Sequence, residues 1–147
     1  MEEKKKKTVG YTTGIFDMFH VGHLNILRRA KEQCDYLIVG VSTDELCLSY
    51  KHKKPVIPFE ERKRIIQAIR YVDEVVAQED RDKFRAWETL KFDKMFVGDD
   101  WKGSPLFAAL EEKFRRAGVE IVYFPYTQGT SSTMLREKLD KLENETV

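Results

Sequence analysis

Two periods of apolar and polar positions alternate along this chain. Short apolar runs at residues 8–12, 36–42, 74–77, 94–97 and 119–124 read as strands. The 36–42 run is apolar enough to be covered on both sides. Helix-period segments separate the runs. In 21–33, Leu24, Ile26, Leu27 and Ala30 fall near one face, and in 59–71 Ile65, Ile66 and Ile69 do. Further helices are predicted over 84–90, 106–117 and 132–142. Gly118 stops the second of these three, being the residue type favoured just past a helix end. The stretch 43–58, with Lys51, Lys53, Lys54, Pro55 and Pro58, reads as a long loop.

Repeated strand-then-helix order predicts an α/β fold. The expected form is a Rossmann-like, doubly wound, five-stranded parallel sheet with right-handed crossovers. Ligands in such sheets bind beyond the carboxyl ends of the strands, where the strand order switches. Residues just after each strand are therefore the ones to read for chemistry.

Composition narrows the picture. At 147 residues the chain suits one domain, expected over 8–143, with charged tails at 1–7 and 144–147. Lys and Arg number 26 against 25 Asp and Glu, so no basic field for long nucleic acid is expected. Any phosphate handling must come from local clustering, and between Asp44 and Arg70 seven Lys/Arg face four Asp/Glu. No apolar run is long enough to span a membrane, and the charged start does not read as a signal peptide. Cys34 and Cys47 have no C-x-x-C partner and read as free thiols of a reducing compartment. A cytoplasmic protein is expected.

The densest chemistry follows the first strand, in Thr13-Gly14-Ile15-Phe16-Asp17-Met18-Phe19-His20-Val21-Gly22-His23. His20 and His23, three apart in a first helical turn, share one face. Gly22 lets an anion approach the backbone, and the helix start offers free N–H groups and partial positive charge. The combination suits a phosphate that gains negative charge during reaction. A zinc site of the H-E-x-x-H kind needs a different spacing and a Glu, so no protein-held metal is expected.

The segments Gly14-x-Phe16-Asp17 and His20-x-Gly22-His23 resemble the signature of the cytidylyltransferase-like nucleotidyltransferases. Ser42-Thr43-Asp44-Glu45, Glu61-Arg62-Lys63, Arg70-Tyr71-Val72-Asp73-Glu74-Val75 and Gly98-Asp99-Asp100-Trp101 extend the resemblance from about Val9 to Leu139. The last two segments narrow it to cytidylyltransferases for small phosphorylated alcohols. The resemblance implies attack of a substrate phosphate on the α-phosphate of CTP, with Mg²⁺ arriving on the triphosphate. Glycerol 3-phosphate is the acceptor it favours, giving CDP-glycerol, a precursor for the cell envelope. A homodimer is implied as well.

By resemblance, His20 and His23 bracket the reacting phosphate, and Lys51 and Lys53 close over it. Thr13, Gly14, Ile15, Phe16 and Gly22 line the nucleotide site. Asp99 and Asp100 sit at the nucleotide, and Trp101 walls its pocket. The turn with Thr127, Gly129, Ser131, Ser132 and Thr133 suits the outer phosphates. Asp17, Lys53, Arg62 and Arg70 are expected at the acceptor. Two departures stand out. Tyr126 and Gln128 occupy positions where the family has Arg and Glu, so either another cation compensates on phosphate or the chain belongs to a subgroup with altered substrate geometry. Ile15 stands where the glycerol-phosphate enzymes have Thr. The rival readings are an adenylyltransferase or another cytidylyltransferase of the same superfamily, acting on a sugar phosphate, choline or ethanolamine phosphate or FMN. A receiver-like or non-catalytic nucleotide-binding module is a remoter one. A receiver domain would need its acidic pair after strand one, where this chain has histidines.

Overall fold

The computed structural model describes residues 7–99, 102–125 and 132–145. Along the chain run β1 (Val9–Gly14), α1 (Val21–Glu32), β2 (Tyr36–Ser42), α2 (Asp44–Lys51), α3 (Phe59–Gln67) and β3 (Glu74–Gln78). Then come α4 (Lys83–Leu90), β4 (Lys94–Gly98), α5 (Pro105–Ala117), β5 (Glu120–Phe124) and α6 (Ser132–Glu145). All strand pairs are parallel, in the order β3-β2-β1-β4-β5. The doubly wound α/β fold expected from the sequence is the fold observed.

Alternation within the strands explains the two covered faces. Leu37, Val39 and Val41 of β2 enter one core with Leu27 of α1, Ile66 of α3 and Phe96 of β4. Ile38 and Met95 turn the other way, to Tyr11, Phe92, Phe107 and Phe114. Gly40 leaves room for the Tyr11 hydroxyl, which a Cβ there would meet at 2.7 Å.

The two edges of the sheet differ. At the amino ends, Asp73 Oδ2 accepts from Leu37 N at 2.8 Å and Asp93 Oδ2 from Val9 N at 2.9 Å. The carboxyl ends carry the longer loops and remain open. β1 lies between β2 and β4, so the chain reverses direction across the sheet at β1/β4, which is the switch point.

The sequence-based outline needs corrections. Residues 43–58 are not one loop: Asp44–Lys51 is helical. Thr43 caps it, accepting from Leu46 N at 3.1 Å, and Asp44 and Glu45 oppose the positive helix start. His52, at φ 59°, ends it. Six helices, not five, are present among the described residues. α3 stops at Gln67 rather than at 71, β1 runs on to Gly14, and α6 reaches Glu145. Gly118, at φ 80°, ends α5 as expected.

Candidate active site

The first β–α turn builds its own geometry. His20 is the N-cap of α1, and its Nδ1 accepts from Gly22 N at 3.0 Å. His23 answers, its Nδ1 accepting from His20 N at 3.3 Å. This reciprocal pair has the spacing of a capping box, with imidazoles in place of the usual hydroxyl and carboxylate. The rings stack, 3.9 Å between centroids.

The capping fixes the protonation chemistry. A ring nitrogen that accepts an N–H carries no proton, so both neutral rings hold theirs on Nε2. His20 Nε2 is buried and has no hydrogen-bond partner among the described residues. A buried donor without a partner is costly, and a phosphate oxygen would satisfy it. His23 is packed between the Phe16 and Phe19 rings, at 5.4 and 5.3 Å. Burial and the neighbouring His20 push its pKa down to about 4, with Asp17 opposing. Burial lowers that of His20 also.

A prediction follows from the sign of this shift. An unfolded chain takes up the His23 proton near 6.5, the folded one only near 4. The unfolded state thus binds more protons between those values, and this residue makes stability fall as pH drops through that window. Titrating the ring by NMR shows a midpoint near 4 in the free protein, and an upward move on adding a nucleotide triphosphate, whose negative charge favours imidazolium. A free-protein midpoint near 6.5 would contradict the geometry.

The turn itself is strained. Phe16 and Met18 adopt φ of 55° and 48°, a region costly for non-glycine residues. Phe16 compensates by burying its ring in the core. Asp17 locks the turn to the next loop: its two carboxylate oxygens accept from Val56 N at 2.8 Å and Ile57 N at 2.9 Å.

Arg62 completes the lock from beneath. Its guanidinium is wholly buried and donates to Ile57 O at 2.8 Å, Ile15 O at 2.7 Å and Ser42 O at 2.8 Å. It also pairs with Asp44 at 2.6 Å. One side chain therefore fastens the ends of β1 and β2 and the α2–α3 connection. The expectation that Arg62 and Asp17 point at the acceptor meets a different arrangement here: both face the protein's own backbone. Arg70 lies between α3 and β3, at the amino edge, and is not brought to the site within this chain. Its guanidinium rests over the Tyr71 ring.

Above these loops opens a cleft of about 1490 Å³. It brings together Thr13, Gly14, Ile15, Phe16, Asp17, His20, Gly22, His23, Lys51 and Lys53. A narrower recess of about 170 Å³ continues between β1 and β4, walled by Thr12, Val97, Gly98 and Phe124. Asp99 is exposed beside Gly98, and its carbonyl accepts from Lys102 N at 3.1 Å. Asp100, Trp101, Tyr126, Thr127, Gln128, Gly129 and Ser131 lie outside the described residues, as do the side chains of Ser132 and Thr133.

Sequence reasoning missed part of the lining. Tyr50, Gln78, Arg81, Lys83 and Arg136 all border the cleft. Arg136 of α6 reaches across to Lys54 O at 3.2 Å. Gln78 ends β3 and Arg81 and Lys83 follow it, so the rule that ligands meet the carboxyl edge pointed to them. Among the described residues six Lys/Arg against four Asp/Glu line the cleft, which favours anions there although the whole chain is nearly neutral. Among the described residues no cluster of three His, Cys, Asp or Glu is placed to hold a metal. Nor is any helix among them long and apolar enough to cross a membrane.

A parallel sheet whose switch point carries a helix start, two neutral imidazoles and a cationic rim defines a class of protein. It is one that holds nucleotide phosphates and stabilises charge growing on them. The chain belongs to the cytidylyltransferase-like family, whose sequence pattern matches residues 11–138, and so to a family of nucleotidyltransferases. It is 40% identical over 141 residues to the glycerol-3-phosphate cytidylyltransferase of Bacillus subtilis, covering 91% of this chain and 97% of that one. The FAD synthase of Thermococcus kodakarensis is 36% identical over 129 residues, covering 86% and 85%. Among solved structures, a lipopolysaccharide core biosynthesis protein from Thermoplasma volcanium superposes with a TM-score of 0.70 at 24% identity. That match covers 85% of this chain and all of the other, and shows a shared fold.

Proposed function

We propose that the protein transfers a cytidylyl group from CTP to a small phosphorylated alcohol, with glycerol 3-phosphate as acceptor. CDP-glycerol and pyrophosphate are the products. The observation that carries this reading is the reciprocal imidazole cap, which leaves the buried His20 Nε2, at the cleft, without a partner among the described residues. The glycerol-3-phosphate cytidylyltransferases of B. subtilis and Staphylococcus aureus, 40% and 39% identical to this chain, support the choice of substrates.

The chemistry asks for placement more than for covalent help. An acceptor oxygen forms a bond to the α-phosphorus, and the bond to the pyrophosphate oxygen breaks, its electron pair leaving with that group. Nε2–H donors on His20 and His23 would meet charge on the α-phosphate and on the bridging oxygen. Lys51, at the end of α2, and Lys53 just after it, both exposed, would close over the outer phosphates. Mg²⁺ would enter as part of the nucleotide substrate, because both Asp17 oxygens already accept backbone amides.

Pyrophosphate release is the test, measured with CTP or ATP against glycerol 3-phosphate and FMN. The expected result is turnover with CTP and glycerol 3-phosphate alone. Turnover with ATP and FMN would favour the activity named for the FAD synthase relatives and remove the cytidylyl assignment.

A further inference from the structure

We propose that Arg81 and Lys83, on the segment after β3, form the subsite that takes the acceptor's phosphate, and that a phosphomonoester is what they select. The inference rests on the transfer reading above and assigns the second anion of that reaction a place.

Of the three cations expected at the acceptor, Lys53, Arg62 and Arg70, only Lys53 lines the cleft, and the outer phosphates of the nucleotide claim it too. Among the described residues Arg62 donates only inward, to Ile57, Ile15, Ser42 and Asp44, and Arg70 lies at the opposite edge of the sheet. At the carboxyl end of β3 the chain offers two other cations to the same cleft that His20 and His23 border. On α2, its following loop and the segment after β3, five Lys/Arg line the cleft against Asp82 alone. That is enough positive charge for a triphosphate and a second dianion side by side.

Arg81 is held ready. Its guanidinium lies 4.5 Å from the centroid of the Tyr50 ring. Tyr50 lies beside Ser42, whose Oγ donates to Gln78 Oε1 at 2.8 Å. Ser42 and Gln78 are both buried, so the platform beneath Arg81 is tied to the ends of β2 and β3. A stacked guanidinium keeps its donor edge free for a bidentate phosphate contact.

Lys83 is placed against three physical preferences. It opens α4, where the helix dipole disfavours a cation. It is half-buried, and it sits beside Arg81. Asp82 Oδ1 caps α4 by accepting from Arg85 N at 3.0 Å, and the charges of Asp80 and Asp82 offset the cost of the ammonium only in part. Among the described residues no hydrogen bond or salt bridge reaches the Lys83 ammonium. Burial first, and Arg81 second, pull its pKa down to about 8, with Asp80 and Asp82 opposing. A phosphate dianion would relieve all three: it pairs the ammonium, screens Arg81 and meets the free N–H groups at the helix start.

The test uses Lys83→Gln and Arg81→Gln, assayed with Mg²⁺, CTP and glycerol 3-phosphate. The acceptor KM rises about tenfold or more in each, while the KM for CTP stays within about twofold. The Tm of Lys83→Gln is equal to or above that of the parent, because an unfavourably placed cation is gone, and Lys83→Arg restores most of the acceptor KM. An unchanged acceptor KM, or equal rises in both KM values, overturns the subsite. Should the parent protein transfer to no acceptor at all, inorganic phosphate separates the two readings. A phosphate-dependent rise in Tm that is kept in His20→Asn and lost in the double glutamine variant supports the anion site without the reaction. The same rise in all three proteins overturns it.

Discussion

His20→Asn lowers kcat for nucleotidyl transfer by about 10²–10³-fold, the usual cost of losing one donor aimed at developing charge. Its Tm stays close to that of the parent. The two effects separate because His20 has two jobs on two nitrogens. Nδ1 caps α1, accepting from Gly22 N at 3.0 Å. An asparagine side-chain oxygen falls near the same position and is a good N-cap acceptor. Nε2 has no partner among the described residues of the site, and asparagine puts nothing there. His20→Ala removes both functions, and should show the same loss of kcat plus a cap penalty of about 1 kcal/mol, or roughly 3 °C in Tm. Stopped-flow or steady-state pyrophosphate assays read the first effect and thermal unfolding the second. Full activity in His20→Asn would reduce the histidine to a structural cap and leave the unpartnered nitrogen unexplained.

The same division explains what was legible in the sequence. Strands β1, β2, β4 and β5 are fully or partly apolar runs, and such local patterns survive folding because both sheet faces are covered. The histidine pair was legible because its spacing is local: three residues in one helical turn fix which faces align. Helix α2 was obscured by its neighbours. Lys51, Lys53, Lys54, Pro55 and Pro58 gave the whole stretch the look of a loop, although Thr43-Asp44-Glu45 is a helix-start signal. Arg62 shows the deeper limit. Its acceptor Ile15 is 47 positions away and Ser42 is 20, so nothing local says whether the guanidinium turns out to a ligand or in to backbone carbonyls. Resemblance could name the residue as one that matters and still leave its direction open.

Arg62→Leu separates those directions and carries the largest stability effect expected in this chain. Removing the guanidinium leaves three backbone carbonyls, those of Ile15, Ser42 and Ile57, without their donor, and leaves the Asp44 carboxylate without its partner. Breaking one side of a buried ion pair costs about 3–5 kcal/mol. For a domain of this length that amounts to roughly 10 °C in Tm. Arg62→Lys recovers only part of it, since one ammonium cannot reach four acceptors arranged around a planar fork. The loss should couple to Asp44. If the pair is the main term, Asp44→Asn in the Arg62→Leu background destabilises less than Asp44→Asn alone, because the stranded charge has gone. Activity falls as well, through the turn rather than through substrate contact: Asp17 and Arg62 together hold residues 15–17 against 56–57, and these flank the histidines and the lysine loop. A surface arginine that grips the acceptor would behave in the opposite way, with Tm unchanged and the acceptor KM raised. Thermal unfolding of Arg62→Leu beside the kinetics of Lys83→Gln therefore tells which basic residues build the cleft and which ones work inside it.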